Sequence, residues 1–446
     1  MKKIRIIQTA KDTGDRLTER SAVMPEVAAS AKIVLKPERT YQKVLGFGGA
    51  FTEAAAYTYS RMKPELREEI LRKYFDPDEG IGYSIGRIHM NSCDFSLGNY
   101  TYVGDKDESL ETFDTSREDK WVIPFIMEAA AVKGESVKFL VSPWSPPGWM
   151  KTNGEMNNGG KLLPQYREVW ARYYVKFIKT MRSKGVDIRS VTIQNEPAAT
   201  QVWDSCIWSA EEEGLFIRDY LGPIFEAEGL SDIHIYFWDH NRDIIVDRAS
   251  GTKSVPGADK YIYGIADHWY CSEEFGNLTK VHEMFPDLHF LFSEGCPEGG
   301  VQLGSWHTGE RYGRNIIGEF NNWQEGFIDW NLVLDETGGP NHVGNLCDAA
   351  IIADTKEQKL YYNSSYYYIG QFSKFVMPGA VRIGAEYAAG TASVLKQVAF
   401  MNPDGSVVMV VMNETDNEES FAAELGEDSV AYTMPQHSIA TFVFGK

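Results

Sequence analysis

The chain has 446 residues, 43% hydrophobic and 24% charged, and its 63 acidic against 44 basic side chains give a formal charge of −19. That balance excludes nucleic acid and anionic membrane surfaces, both of which demand Lys/Arg patches, and favours a neutral or cationic small molecule as the partner. Five scattered cysteines without a C-x-x-C pair exclude a disulfide scaffold or a zinc site and read as reduced thiols, and no run of 18 apolar residues is present to span a membrane.

The first residues alternate as short strands. Met1-Lys-Lys opens like a signal peptide, but Arg5 and Gln8 break any apolar core, so a strand and a cytoplasmic location are expected. Residues 32–36 continue the alternation. From Val44 to about residue 375 the texture changes to apolar strands, each followed by a polar or glycine-rich cluster and then a helical pattern. Eight strands are predicted, at 44–49, 83–88, 137–142, 190–195, 234–238, 262–267, 288–293 and 326–331. Eight βα units close a (β/α)8 TIM barrel, so the fold class is α/β. The clearest helix is at 164–184, where Tyr166, Trp170, Tyr173, Tyr174, Phe177 and Ile178 keep a period near 3.6 before Lys184-Gly185 stops it. Ser209-Ala-Glu-Glu has the form of a capping box, which makes Glu211, Glu212 and Glu213 first-turn charges. After residue 375 the chain returns to strands, at Ser406-Val-Val-Met-Val-Val-Met and Ser438-Ile-Ala-Thr-Phe-Val-Phe. The expected organisation is a barrel over 44–375 and a side β-sandwich built from 1–43 and 376–446.

Active sites of such barrels lie at the C-terminal ends of the strands. The run Val191-Thr-Ile-Gln-Asn-Glu-Pro ends a strand in an amide, a carboxylate and a proline that cannot donate to a ladder, so Asn195 and Glu196 should emerge there. Strand seven ends in Ser293-Glu294, 98 residues later (294 − 196). Two carboxylates on one rim can flank a glycosidic bond, one as acid/base and one as nucleophile. The acid needs a raised pKa, which an anionic Glu294 would help to give Glu196, and the nucleophile must stay ionised, for which Arg87 at the end of strand two is the cationic support. The prolines of Ser142-Pro-Trp-Ser-Pro-Pro-Gly-Trp fix a rigid loop expected to display Trp144 and Trp149, and the 13% aromatic content suits stacking on pyranose faces. His89 and His268, with Asp94 or Asp267, invite a metal reading, but no ligand spacing supports it and buried, hydrogen-bonded histidines are expected instead. The Gly46-Phe-Gly-Gly turn lacks the remainder of a phosphate loop and reads as a tight strand end; Ser293 lacks a nucleophile elbow.

Taken together, Gly46-Phe-Gly-Gly-Ala, Thr52-Glu-Ala-Ala, Ser92-Cys-Asp-Phe-Ser, Ser142-Pro-Trp-Ser-Pro, Lys151-Thr-Asn-Gly, Asn195-Glu-Pro, His268-Trp-Tyr, Ser293-Glu-Gly-Cys, Asp329-Trp-Asn-Leu, Gly338-Gly-Pro-Asn and Phe372-Ser-Lys-Phe resemble glycoside hydrolase family 30, in its glucosylceramidase-like branch. The resemblance runs from about Leu45 to the C-terminus. It implies a barrel with a side sandwich and a retaining mechanism without cofactor or metal, with Glu196 as acid/base and Glu294 as nucleophile. It also implies that Asp94, Trp144, Asn195 and Trp330 hold the terminal sugar, that Tyr270 stands beside the nucleophile, and that Asn345 is a further rim residue. Asn195 should hydrogen-bond the sugar's 2-OH. Departures lie in the loops 198–208 and 297–306, on the leaving-group side. The expected substrate is a soluble β-glucoside or short β-glucan cleaved at its terminal β-glucosyl residue, with β-1,6-glucan, a β-xyloside or glucosylceramide as the family's alternatives and a non-catalytic carbohydrate-binding protein as the rival outside enzymes.

Overall fold

The computed structural model describes residues 4–21 and 31–445. Eight parallel strands close into a barrel: Gly46–Ala50, Ile85–Met90, Lys138–Pro143, Asp187–Thr192, His234–Asn241, Ile262–His268, His289–Glu294 and Gly326–Asn331, the last pairing back onto the first. All eight predicted strands are present. Strand one is the Gly-Phe-Gly-Gly-Ala segment itself, where a tight strand end was expected. Its glycines allow close strand approach: a Cβ on Gly48 would lie 1.7 Å from the carbonyl oxygen of Ile85.

Strand four corrects the sequence reading in a useful way. Its ladder stops at Thr192, three residues before the predicted end. The backbone beyond stays pinned by single bonds: Ile193 N–H donates to Tyr236 O (3.2 Å), Asn195 N–H to Pro143 O (2.8 Å) and Glu196 N–H to Asp239 O (3.0 Å). Glu196 takes a left-handed φ of 49°, unusual for a non-glycine residue, which twists its side chain off the strand direction.

The helix predicted at 164–184 is a 3-10 turn, Pro164–Tyr166, leading into Arg167–Ser183, with Gly185 in the left-handed conformation that ends it. The Ser209 capping box forms as expected with Glu212. Glu213 lies in the first turn as expected, and it is fully buried. It accepts from Trp238 N–H at 3.0 Å and pairs with Arg248 at 2.5 Å, because the helix turns that face onto strand five.

The second body is a nine-stranded sheet. In spatial order it runs Asp428–Met434, Glu419–Leu425, Ala31–Lys43, Val381–Tyr387, Lys396–Met401, Val407–Asn413, Ser438–Phe444, Ile4–Ala10 and Thr18–Arg20. The pairing is antiparallel except where Glu419–Leu425 runs parallel to Ala31–Lys43. The sheet folds over its own apolar core, in which Ile6, Ile33, Met409, Phe421 and Phe442 from both halves meet. It docks on the barrel through the helices Trp306–Asn321 and Ser364–Ser373. Thr441 Oγ1 donates to Gln371 O at 2.5 Å, and a Cβ on Gly313 would press on Met412 Sδ at 2.7 Å. A three-stranded sheet, Val333–Asp335, Ile351–Asp354 and Lys359–Tyr362, follows strand eight and has no counterpart in the sequence reading. Among the described residues, no helix is long and apolar enough to cross a membrane.

Candidate active site

One pocket of about 140 Å³ opens at the C-terminal rim of the barrel. Glu196 enters it from strand four and Glu294 from strand seven. Their nearest carboxylate oxygens lie within 4.8 Å of each other, with a nitrogen of His268 inside the same radius. Glu294 is held at both oxygens: Arg87 Nη1 donates to Oε2 at 2.5 Å and Tyr270 O–H to Oε1 at 2.8 Å. Arg87 is wholly buried and spends three further donors on Asn195 Oδ1 (2.8 Å), Asp239 Oδ2 (2.8 Å) and Ser142 Oγ (3.1 Å). Because Arg87 occupies Asn195 Oδ1, the amide of Asn195 is left with its N–H2 as the group it presents to the pocket it lines.

The floor is aromatic. Trp144 and Trp330 stack at 5.3 Å between centroids and 22° between planes, both over the Arg87 guanidinium. Gln194 and Asn91 fix the proline-rich loop that carries Trp144, donating to the carbonyls of Trp144 (2.6 Å) and Ser145 (3.0 Å). Trp149, expected beside it, packs on Tyr166 and does not line the pocket, since the loop turns into the short helix Gly148–Met150. At the far wall Asp94 Oδ2 accepts from Asn345 Nδ2 (3.0 Å) and Asn341 Nδ2 (3.1 Å). Burial raises the Asp94 carboxyl to about 7 against the lowering effect of Asn345.

Asp239 lies beneath the carboxylates and is the most densely bonded side chain of the site. It takes hydrogen bonds from Arg87, Ser142 Oγ (3.0 Å), Thr192 Oγ1 (2.7 Å), Ser293 Oγ (2.5 Å) and His268 Nε2 (3.1 Å). Burial pushes its carboxyl up, but the Arg87 charge and the His268 bond hold it well below the usual range, so it stays ionised. His268 thus bridges two carboxylates, with Nε2 on Asp239 and Nδ1 3.4 Å from Glu196 Oε1. Burial alone would depress the imidazole; the charge of Glu294 and the bonds to Asp239 and Glu196 raise it to about 9.

Here the structure reverses the expected order of acidities. Burial pushes Glu196 up, but the His268 hydrogen bond and the charges of His240 and His268 bring it down to about 2. Glu294 is raised, because burial and the charge of Glu196 outweigh His268, Arg87 and Tyr270. The expectation of a raised Glu196 considered only the carboxylate pair. Two histidines delivered by strands five and six bear on Glu196 and reverse its shift. The available proton therefore sits on His268, one hydrogen bond from Glu196.

The profile of the glycosyl hydrolase family 30 TIM-barrel domain matches residues 44–376, and that of the family 30 beta sandwich domain matches residues 379–442. The chain belongs to glycosyl hydrolase family 30. Family 30 proteins similar to it include the lysosomal acid glucosylceramidase of Mus musculus, 35% identical over 92% of this chain and 83% of that protein. Among solved structures, SrfJ from Salmonella typhimurium is 36% identical and superposes over the full length of both chains with a TM-score of 0.94. An endo-β1,6-glucanase is 30% identical over 99% of both chains, with a TM-score of 0.90. This family 30 chain is accordingly a glycoside hydrolase.

Of the residues singled out in the sequence, Glu196, Glu294, Asp94, Trp144, Asn195, Tyr270, Trp330 and Asn345 all line the one pocket, and Arg87 lies directly beneath it. His89 is an internal structural histidine, accepting from Glu53 N–H (3.0 Å) and bonded to Asn91 O (2.7 Å). Asp267 is tied to Arg242 and Gln324, away from the pocket. Glu196, His268 and Glu294 stand close enough together to hold a cation, but Arg87 and Tyr270 already take both oxygens of Glu294, and a guanidinium at 2.5 Å opposes a second positive charge. Sequence reasoning missed Asp239, His240, Gln201 and Trp203. For the first two the signal was present: Trp238-Asp-His-Asn ends strand five just as the other polar clusters end their strands.

Proposed function

We propose that this glycoside hydrolase is a retaining, exo-acting β-glucosidase whose natural substrates are soluble β-glucosides or short β-glucans. The observation that carries retention is the gap of at most 4.8 Å between the nearest oxygens of Glu196 and Glu294. Retaining enzymes keep their carboxyl groups about 5–5.5 Å apart, whereas inverting ones need about 6.5–9.5 Å to admit a water. Exo action is supported by the closed far wall, where Asp94 is clamped by Asn341 and Asn345, and by the buried Trp144–Trp330 floor, which together fit one terminal sugar.

Glu294 attacks the anomeric carbon while Glu196 gives its proton to the glycosidic oxygen; the aglycone departs as an alcohol and a glucosyl ester remains on Glu294. Water then attacks the same carbon, losing its proton to Glu196 as the ester bond breaks, and the sugar leaves with its β configuration. His268 Nδ1 stands 3.4 Å from Glu196 Oε1, placed to exchange the acid's proton, and once neutral it still donates Nε2–H to Asp239. Arg87 and Tyr270 meanwhile keep charge density on Glu294 in the form of an ion-paired nucleophile. Asn195 N–H2 is available to the sugar's 2-OH, where a contact strengthens as the ring flattens toward the oxocarbenium ion.

The choice of a hydrophilic aglycone rests on the side beyond Glu196. Gln201, Trp203, His240, Asn241 and Glu298 line it. Gln201 Nε2 and His240 Nε2 approach Glu196 at 3.5 and 3.8 Å, and the buried Nδ1 of His240 has no protein partner. One indole among amides, an imidazole and a carboxylate suits a second sugar, stacked and hydrogen-bonded, better than two alkyl chains. Replacing Glu294 with Gln tests the chemistry: turnover of an activated aryl β-glucoside should vanish, and retained turnover would overturn the assignment. Proton NMR of the first-formed product should show the β anomer. A panel of aryl glucosides and xylosides, β-1,6- and β-1,3-linked glucose disaccharides and micellar glucosylceramide tests the substrate. Disaccharides should lead in kcat/KM; a clear preference for the lipid would refute the aglycone reading while leaving the mechanism standing.

A further inference from the structure

Two thiols stand in the wall of the catalytic pocket and take no part in the chemistry above. Cys296 follows Glu294 by two residues at the end of strand seven; Cys347 follows Asn345 by two on the opposite loop. The two segments are zipped together. Glu298 and Cys347 form an antiparallel bridge, Asp348 N–H donates to Pro297 O at 2.8 Å, and Gly299 N–H donates to Leu346 O at 3.0 Å. Both side chains are free thiols, each 2% exposed, and both line the pocket. Both belong to one small buried cluster with Trp144, Trp330 and Ala349. Cys296 Sγ also lies 3.6 Å from the Tyr270 hydroxyl, the group that donates to Glu294 Oε1.

We propose that Cys296 and Cys347 form a dithiol site for a soft, thiophilic metal ion, and that filling it switches off hydrolysis. Soft divalent ions prefer thiolates to the carboxylates and amides of the rest of the pocket, and two thiols held in one wall by zipped backbone segments offer such an ion a chelate. Binding breaks two S–H bonds and forms two S–metal bonds, releasing two protons to solvent with no change of oxidation state. Burial, Cys347 and the charge of Glu294 hold the Cys296 thiol protonated at neutral pH. Attack by a single-point alkylating reagent, which needs a preformed thiolate, is therefore slow, whereas an ion bound by two sulfurs can drive both protons off. The inhibition follows from position. A metal on Cys296 Sγ sets positive charge beside Tyr270 and Glu294, which stabilises the resting carboxylate and lowers its reactivity as a nucleophile.

The full chain is titrated with Cd²⁺ alone while hydrolysis of an aryl β-glucoside and the ultraviolet thiolate-to-cadmium charge-transfer band are followed. Activity should fall as the band rises, saturating at one ion per chain, and EDTA should restore it. The Cys347→Ser variant should keep its activity without cadmium and need more than about tenfold more ion for the same inhibition, since loss of even an outer-sphere partner costs metal sites 10–100-fold. Cys271→Ser, which removes the exposed thiol, should behave as the parent. Equal sensitivity in Cys347→Ser overturns the proposal, as does inhibition without the charge-transfer band, which would place the ion on Glu196, His268 and Glu294. If Cys347→Ser fails to fold, phenylarsine oxide decides on the parent chain: its arsenic exchanges oxygen for two sulfurs, and peptide mass spectrometry should find Cys296 and Cys347 joined through it. Arsenic on other cysteines, or on none, refutes the pair.

Discussion

Replacing His268 with Asn tests whether the catalytic proton is stored on an imidazole rather than on the acid itself. In the folded chain His268 titrates near 9, against an ordinary value of 6.5. That difference of about 2.5 pH units corresponds to ~3 kcal/mol at 1.36 kcal/mol per unit. Because the folded value is raised, the stabilisation is fully present below pH 6.5 and disappears as pH climbs through 9. Chemical denaturation of parent and variant at pH 5.5 and at pH 10 should therefore give a stability difference larger by ~3 kcal/mol at the lower pH. Activity should respond in the same direction. Without the His268 bond and charge the Glu196 carboxyl moves up from about 2 toward the value burial would give it, but it then has no neighbouring proton donor at neutral pH. For a glucoside with a poor leaving group, kcat/KM should fall by about 10²–10⁴, the worth of general acid catalysis, and its basic limb should move to lower pH. A dinitrophenyl glucoside, which leaves without protonation, should show neither change in its glycosylation step. An unchanged basic limb, or an equal loss for both leaving groups, would refute the storage of the proton on His268.

Arg87→Lys preserves the charge beneath the pocket but not the fork that reaches Glu294, Asn195 and Asp239 together; kcat should fall at least about 10²-fold and stability by roughly 3–5 kcal/mol, read by kinetics and by urea denaturation. Asp94→Asn should cost most of the activity yet raise stability at pH 8 by up to ~4 kcal/mol, because the carboxyl is raised from 3.8 to about 7 and its ionised form is the one that burial penalises. By the same sign, that gain should vanish below pH 4, which thermal melts across pH would reveal. Trp203→Ala should weaken kcat/KM for a glucose disaccharide by roughly 2–12-fold, the value of about 0.5–1.5 kcal/mol of stacking, and leave a small activated alkyl glucoside nearly untouched; equal losses on both would remove Trp203 from the leaving-group side.

The eight strands and the rim position of both carboxylates were legible because a buried parallel strand leaves a continuous apolar run and ends in a change of polarity that sequence displays directly. Asp94, Trp144, Asn195, Tyr270 and Trp330 were reachable through short motifs at the same strand ends. What escaped is what depends on directions across the barrel. Nothing local marks Asp239 as the partner of Arg87 and His268, which come from strands two and six, and the small hydroxyls Ser142, Thr192 and Ser293 that complete its shell look like ordinary strand residues. Glu213 shows the same limit: the capping box places it in the first turn correctly but does not say which of three consecutive glutamates the helix turns inward. The acidities failed because a pKa belongs to a neighbourhood, and His240 and His268 come from segments 44 and 72 residues beyond Glu196 (240 − 196 and 268 − 196).

Counting charges across the site explains why the proton belongs where it is. Arg87 and protonated His268 bring two positive charges; Asp239, Glu196 and Glu294 bring three negative ones, all but Glu196 almost fully buried. The net negative charge of these five groups is what a developing oxocarbenium ion requires, and it is available without reorganisation at the moment of bond cleavage. Moving the proton from His268 to Glu196 leaves that net charge unchanged and buries no new ion, although it gives up the ion pair that holds the proton on His268. Asp239 makes this possible: it is anchored by Arg87 and three hydroxyls as well as by His268, so it remains an ionised acceptor whether His268 carries one proton or two. The carboxylate that never touches the sugar thereby sets the protonation state of the one that does.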